Sequence, residues 1–153
     1  MTNFNIDEEF MKLALQEAKK SQEMNEVPVG AIVVVNDEII SQSHNQPISQ
    51  NDPTSHAEIN AIRNAAEYIE NYRLNETSLY VTLEPCAMCY GAIIHARISR
   101  LIFGAYDYKT GVCGSSIKLH EQNCFNHTPE IKGGVLEREC SLILKEFFQK
   151  KRN

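Results

Sequence analysis

Hydrophobic and polar positions change period repeatedly along the chain, and this predicts helices and strands in alternation. The first pattern is helical and follows Asp7, a candidate N-cap. Its apolar positions recur at the spacing of an amphipathic helix, at Phe10, Leu13, Ala14 and Ala18. A continuous apolar run over 29–35 then predicts a strand covered on both faces, and a turn leads to a second predicted strand over 38–44.

The rest of the pattern predicts three more helices and three more strands. These elements are a helix from His56 to about Tyr68, a strand over 78–83, a helix up to about Arg97, a strand over 100–104, a weak strand near Ile131 and a last amphipathic helix. We expect Pro85 at the first position of the middle helix, where its missing N–H would have no partner in any case. The order predicts a single domain over residues 1–153, with a mixed sheet and helices on both faces.

Composition places the chain among compact globular domains. Of its 153 residues, 42% are hydrophobic and 23% are charged, which disfavours disorder and coiled coils. The longest apolar run, over 31–35, is far shorter than the roughly 20 residues of a membrane span, and no leader-like segment opens the chain. We therefore expect a cytoplasmic protein without a membrane partner. The five cysteines lack the dense spacing of a secreted disulfide scaffold, so reduced thiols are expected.

Charge is divided unevenly along the chain. The net charge of −5 by itself argues against a nucleic-acid partner, because phosphate binding depends on Lys and Arg. Residues 77–153, however, hold 10 basic and 7 acidic side chains, whereas residues 1–76 hold 5 and 13. The C-terminal half can therefore form a local basic surface, and the net charge does not exclude a small structured RNA as partner.

Three potential metal ligands stand at the starts of two predicted helices. Cys86 and Cys89 follow a predicted strand, where a helix N-terminus favours thiolates, and His56 stands at the start of the other helix. Two thiolates and one imidazole suit Zn²⁺ and leave one tetrahedral position open for water, which is the pattern of a catalytic zinc. Glu58, two residues after His56, is a candidate general base for that water.

These residues alone leave alternatives open. Cys86 and Cys89 also fit a redox Cys-x-x-Cys pair or inert buried cysteines, and Glu58 also fits a first-turn carboxylate favoured by the helix dipole. A fourth protein ligand would instead close the site into a structural zinc. The candidates for that ligand are Cys113, Cys124, His120 and His127.

The sequence resembles the bacterial tRNA-specific adenosine deaminases of the zinc-dependent cytidine and deoxycytidylate deaminase superfamily. The combination of His56-Ala57-Glu58 with Pro85-Cys86-Ala87-Met88-Cys89 is the zinc deaminase signature. Further matching segments are 27–31, 44–45, 52–58, 72–74, 79–86, 103–111, 125–127 and 147–148. The resemblance therefore covers nearly the whole chain.

This resemblance implies a cytidine-deaminase-like fold, which is a three-layer α/β/α arrangement around a mixed five-stranded sheet. It implies a homodimer that deaminates adenosine to inosine by hydrolysis at the wobble position of a tRNA anticodon stem-loop. His56, Cys86 and Cys89 would hold one Zn²⁺ per subunit, which activates water. Glu58 would then shuttle the proton.

The resemblance also assigns substrate contacts. Asn45 corresponds to a residue that hydrogen-bonds the target nucleoside, and Val27 and Leu83 fall where the pocket wall would be. Asp107 corresponds to a residue beside the RNA backbone, where a carboxylate can accept from a ribose 2′-hydroxyl. The candidate phosphate contacts, each also readable as an ordinary surface charge, are Arg97, Arg100, Lys109, Lys150, Lys151 and Arg152.

Three tyrosines depart from the family pattern. Tyr90 stands where a small residue is expected, so we expect it to crowd the packing of its helix or to face a partner subunit. Tyr106 and Tyr108 lie in a loop that is usually more polar, where they would stack on bases or shield the core.

Two other functions remain open. One is deamination of a free base or nucleoside such as guanine or cytosine, although Ala57 stands where cytosine deaminases more often carry Gly. The other is a zinc-stabilised binding module without catalysis.

Overall fold

Helices and strands alternate through residues 5–152, the part of the chain that the computed structural model describes. The helices are α1 (Ile6–Glu23), α2 (Ala57–Ile69), α3 (Ala87–Ala96) and α4 (Glu137–Arg152), with a short 3₁₀ helix at Leu119–Glu121. The strands are β1 (Gly30–Val35), β2 (Glu38–His44), β3 (Ser78–Leu83), β4 (Arg100–Ala105) and β5 (Glu130–Lys132). The predicted order of elements is confirmed.

The strands form one mixed sheet in the order β2-β1-β3-β4-β5. Strand β1 runs antiparallel to both β2 and β3, whereas β3, β4 and β5 run parallel to one another. The carboxyl ends of β3 and β4 therefore meet at the same edge of the sheet, where Leu83 pairs with Ala105.

Alternate residues of the central strands enter two separate cores. Val33, Val81 and Phe103 pack on the side of α2 and α3, whereas Ile32 and Tyr80 pack on the side of α1 and α4. Because both faces are covered, β1 reads as a continuous apolar run, as predicted. The result is the expected three-layer α/β/α arrangement. No helix among residues 5–152 has the length and apolar character needed to cross a membrane.

The starts of α1 and α3 each differ from the predictions by two residues. The N-cap of α1 is Asn5, whose side chain accepts from the backbone N–H of Glu8 at 3.3 Å, and Asp7 lies inside the first turn. Both residue types suit an N-cap, so the pattern alone could not choose between them. The prediction for Pro85 is also wrong: Cys86 is the N-cap of α3, so the proline precedes the helix.

Asp7 does not cap α1, and its side chain instead binds three side chains on the sheet. Its carboxylate is buried and accepts from Tyr80 at 2.6 Å, from Arg100 at 3.1 Å and from Lys132 at 2.9 Å. Burial alone raises the pKa of Asp7, but the hydrogen bonds from these partners outweigh it and hold the pKa well below its usual range. Arg100, one of the predicted phosphate contacts, therefore has an internal role at the start of β4.

We expect Asp7→Asn to lower the free energy of unfolding by about 3 kcal/mol at pH 7, because it removes the charge of a buried carboxylate to which Tyr80, Arg100 and Lys132 donate hydrogen bonds. The folded-state pKa lies below the unfolded value of about 3.9, so this stabilisation is complete above that value and is lost as the pH falls through the folded pKa. The difference between the two proteins should therefore stay constant from pH 7 to about pH 4 and shrink below it, which urea unfolding at pH 7 and at about pH 2.5 measures. Glu130→Gln, which removes an exposed partner 3.8 Å from Arg100, is the control and should cost less than about 1 kcal/mol. A difference that is the same at both pH values would contradict the prediction.

Candidate metal centre

The three predicted metal ligands meet at one point. Their ligand atoms all lie within 4.8 Å of one another. The Nδ1 atom of His56 is 3.7 Å from the Sγ atom of Cys86 and 3.5 Å from that of Cys89. In a tetrahedral zinc site with ordinary bond lengths, nitrogen and sulfur ligands are about 3.6 Å apart. The donor set and its spacing therefore fit Zn²⁺.

Two helix N-termini bring these ligands together. His56 is the N-cap of α2 and Cys86 is the N-cap of α3, both in extended backbone, and Cys89 lies in the first turn of α3. Hydrogen bonds with Cys89 and His56 lower the pKa of Cys86 to about 4, although burial by itself would raise it. A thiol that ionises this readily is in its metal-binding form at neutral pH.

The fourth tetrahedral position receives no protein ligand from residues 5–152. The cluster there consists of His56, Cys86 and Cys89. His127 instead hydrogen-bonds the carbonyl oxygen of Ile98 at 2.7 Å, and all five cysteines are free thiols. The arrangement matches an open, catalytic zinc site rather than a closed structural one or a disulfide.

Glu58 lies beside the metal ligands in the same cavity. It is 4% exposed and occupies the first turn of α2. Burial raises the pKa of Glu58 to about 7. A carboxyl group of this kind can both accept and release a proton near neutral pH, which is the requirement for a proton shuttle.

The cavity has a volume of about 260 Å³ and opens at the carboxyl ends of β3 and β4. Its lining residues are Val27, Val29, Asn45, Pro47, His56, Glu58, Leu83, Glu84, Cys86, Asp107 and Thr110. The predicted substrate contacts Asn45, Val27, Leu83 and Asp107 are all among them. Lys109, a predicted phosphate contact, lies in an adjoining groove. The amide nitrogen of Asn45 donates to the carbonyl oxygen of Val27 at 3.2 Å, which fixes the direction of the side chain.

Asp107 has contacts within its own loop. Its carboxylate accepts from the backbone N–H groups of Lys109 and Thr110 at 3.1 Å and from the hydroxyl of Thr110 at 2.7 Å. The side chain therefore shapes the turn that carries these residues, a role the sequence did not indicate.

A groove of about 520 Å³ continues from the cavity. The two share Val27, Leu83, Asp107 and Thr110, and the groove adds Tyr106, Tyr108, Lys109, Leu144 and Phe148. The rings of Tyr106 and Tyr108 stack with centroids 6.3 Å apart, and Tyr108 is 77% exposed. Tyr106 also packs edge-on against Phe103, so it shields the core while its neighbour faces solvent.

The third unusual tyrosine is enclosed by its own chain. Tyr90 is fully buried and packs edge-on against Phe125, with ring centroids 5.5 Å apart. Burial raises its pKa to about 12. The first of the two alternatives, packing around its own helix, describes its position.

The remaining predicted phosphate contacts lie on two different parts of the fold. Lys150 and Lys151 line a depression beside the end of α1, and Arg152 borders another that includes Leu144 and Phe148 of the groove. Arg97 instead ends α3 in a left-handed conformation, at the opposite end of that helix from Cys86. Of these residues, Arg152 thus supplies basic charge beside the groove.

Two buried carboxylates beside the cavity were not singled out from the sequence. Glu84 is 2% exposed and accepts from the backbone N–H groups of Asp107, Cys113 and Ser115. Glu26 is 1% exposed and accepts from backbone N–H groups of the loop that follows β2. The only signal for Glu84 was an acidic residue between an apolar strand and the Pro-Cys motif.

Comparison with known proteins agrees with this geometry. The cytidine and deoxycytidylate deaminase zinc-binding region matches residues 4–105. A tRNA-specific adenosine deaminase from Haemophilus influenzae is 53% identical over 148 residues, which cover 96% of this chain and 86% of that protein. A solved structure from a study of A-to-I editing by tRNA:A34 deaminases is 45% identical with a TM-score of 0.87, covering 89% of this chain and 99% of that one.

A more distant structure, the guanine deaminase of Nitrosomonas europaea, shares the fold. It is 19% identical with a TM-score of 0.76, covering 92% of this chain and 83% of that one. Residues 4–105, which match the deaminase zinc-binding region, contain all three metal ligands and Glu58. The chain therefore belongs to the family of zinc-binding cytidine and deoxycytidylate deaminases.

Proposed function

We propose that this protein hydrolyses adenosine to inosine at the wobble position of a tRNA anticodon. The relatives named for this activity support the proposal. The observation that carries it is the continuity of the catalytic cavity with a groove lined by three aromatic side chains and Lys109. A free base needs only the cavity, whereas a polynucleotide also needs a surface for the neighbouring nucleotides.

The reaction exchanges one bond at C6 of adenine: a C–O bond to water forms and the C–N bond breaks, releasing ammonia. His56, Cys86 and Cys89 would hold Zn²⁺, which when bound would supply a Lewis acid that lowers the pKa of water. Glu58 removes one proton from the attacking water and delivers it to N1 of the ring, and then moves the remaining proton of that oxygen to the departing amine, so that a C6 carbonyl and ammonia result. Burial raises the pKa of this carboxyl group to about 7, which suits it to both transfers.

The cavity walls orient the base. Asn45 presents an amide, which can donate to and accept from a purine edge, and its direction is fixed by Val27. The side chains of Val27 and Leu83 provide apolar contact for the ring.

An anticodon loop suits this site because its bases leave the stack at small cost. Lys109 lines the groove and Arg152 borders a depression that shares Leu144 and Phe148 with it, and we propose both as phosphate contacts. Lys150 and Lys151, which line a separate depression beside the end of α1, are proposed as more distant phosphate contacts. A tRNA substrate also favours the cytoplasmic location expected from the sequence. The expected homodimer belongs to the same proposal, and sedimentation at several concentrations tests it.

The test uses zinc-loaded protein and an anticodon stem-loop with adenosine at the wobble position, followed by nucleoside analysis. We expect inosine at that position, and none in a control stem-loop whose adenosines lie only in the stem. Free adenosine, guanine and cytosine are assayed in parallel. Turnover of a free base without inosine in the stem-loop would replace the proposal with a small-molecule deaminase, and the absence of all activity would favour a binding module.

Asp107→Asn should change the ratio of activity on the RNA stem-loop to activity on its DNA counterpart, because a carboxylate accepts from a 2′-hydroxyl better than an amide does. The measurement is kcat/KM on both substrates. Thr110→Ala is the matched control, since it removes the hydroxyl that donates a hydrogen bond to Asp107 and keeps the charge of Asp107. An unchanged ratio in Asp107→Asn, or an equal change in the control, would contradict a direct contact with the ribose.

A further inference from the structure

Glu84 is a buried carboxylate that the proposed reaction leaves without a task. It follows β3 directly and stands two residues before the metal ligand Cys86. Its side chain accepts from the backbone N–H of Asp107 at 3.0 Å, of Cys113 at 2.9 Å and of Ser115 at 3.2 Å, and from the Ser115 hydroxyl. A buried carboxylate is costly unless donors of this kind satisfy it.

All four donors belong to one stretch of chain, residues 107–115. This stretch carries Asp107 and Thr110 into the wall of the catalytic cavity, and Tyr108 and Lys109 into the groove. A single side chain therefore holds the loop that borders both substrate surfaces.

Gly111 shows how closely the loop surrounds the carboxylate. A Cβ atom at this position would lie 2.4 Å from Cδ of Glu84 and 2.5 Å from the carbonyl oxygen of Asp107. Only glycine leaves room for the loop to close at this distance. The carboxylate and the absence of a side chain at Gly111 thus form one fitted contact.

We propose that Glu84 is a positioning residue that fixes the 107–115 loop relative to the metal ligands and thereby sets the affinity for the polynucleotide. Its backbone is tied to Cys86 through Pro85 alone, so the loop and the metal site share one fixed reference. The identity of the substrate in this inference rests on the proposed function, whereas the anchoring of the loop does not.

Glu26 offers a matched comparison at the opposite wall. It is equally buried and accepts from the backbone N–H of Ile48 at 3.1 Å and of Ser49 at 2.8 Å. Pro47 of that loop lines the catalytic cavity. The same chemistry therefore holds two different loops, and the two glutamates control for each other.

The first experiment measures hydrogen exchange in zinc-loaded Glu84→Gln. An amide side chain places its own N–H₂ against backbone donors and loses charge-assisted hydrogen bonds, so exchange over 107–116 should rise by about tenfold. The loop at 46–55 should keep its protection. Glu26→Gln should give the reverse pattern. Unchanged exchange over 107–116, or an increase spread over the whole chain, would overturn the anchoring.

The second experiment follows the same variant on the anticodon stem-loop. We expect KM to rise by about tenfold with kcat within about twofold of the wild type and with zinc still bound at one ion per chain. A fall in kcat at constant KM, or loss of zinc, would instead mean that Glu84 acts through Cys86. A lower Tm with unchanged kcat and KM would leave a purely structural role. Either result overturns the positioning of substrate.

Ser115→Ala keeps the inference testable if Glu84→Gln does not fold, because it removes one donor and keeps the charge. It should raise KM by about threefold and loosen the same segment. No change in either quantity would overturn the proposal. If the wild-type protein leaves the stem-loop unmodified, the proposed function fails, but the exchange experiment still decides the anchoring.

Discussion

Glu58→Ala is expected to keep one zinc ion per chain and to lose activity on the anticodon stem-loop by about a thousandfold. The zinc ligands His56, Cys86 and Cys89 are untouched, so the metal should stay. The loss follows because a positioned acid–base group contributes about a hundred- to ten-thousandfold, and in the proposed mechanism one carboxyl performs both proton transfers. Single-turnover rates and zinc content, measured on the same preparation, check the prediction.

Glu67→Ala is the matched control, because it removes an exposed carboxylate from the same helix. It should retain wild-type rate. Glu58→Gln should resemble Glu58→Ala in rate, since the amide preserves shape but cannot carry the proton. A Glu58→Ala protein with more than a few per cent of the wild-type rate would refute the shuttle and leave the residue as a first-turn carboxylate favoured by the helix dipole.

Cys89→Ala is expected to lose both zinc and activity. The thiol is fully buried at the first turn of α3, 3.5 Å from Nδ1 of His56, and two remaining ligands hold the metal far less well than three. Zinc content after dialysis should fall well below one ion per chain, and the rate on the stem-loop should fall with it. Added zinc at high concentration should restore little of either.

Cys124→Ala is the control, since this thiol is exposed and lies outside the metal cluster. It should retain zinc and rate. Full zinc occupancy in Cys89→Ala would show that the ion is held elsewhere, and full activity without zinc would refute a metal-dependent mechanism.

The metal centre could be predicted from the sequence because its ligands are short-range features of helix starts. His56 and Cys86 each follow a loop and precede an apolar helical pattern, so their places at two N-termini could be inferred before the fold was known. Local signals of this kind are the most reliable ones that a single sequence offers.

The roles of the buried carboxylates could not be predicted from local sequence. Asp7, Glu26 and Glu84 look like ordinary charges in the sequence, and their partners lie between 22 and 125 residues away along the chain. Nothing local distinguishes a buried acceptor of backbone N–H groups from a solvated surface residue. For the same reason the sequence pattern predicts an N-cap at Asp7 and not its buried contacts.

The groove was also beyond the reach of the sequence. Tyr108 and Phe148 lie in a loop and in the last helix, 40 residues apart, and only the packing of α4 against the sheet places both in one groove beside the cavity. The aromatic residues were noticed as unusual, but their common surface depends on tertiary structure.

Because β3 and β4 are parallel neighbours, the residues proposed for catalysis and those proposed for substrate selection lie side by side on different segments of the chain. Both strands end at the same edge, so the helix with the cysteines and the loop with Asp107 start side by side yet belong to different segments. In the proposed function this loop contacts the neighbouring nucleotides, so exchanges confined to it should change the preferred nucleotide context and leave the metal ligands and Glu58 in place. A library built to retarget the enzyme should therefore vary positions 106–110 and leave both helix starts alone.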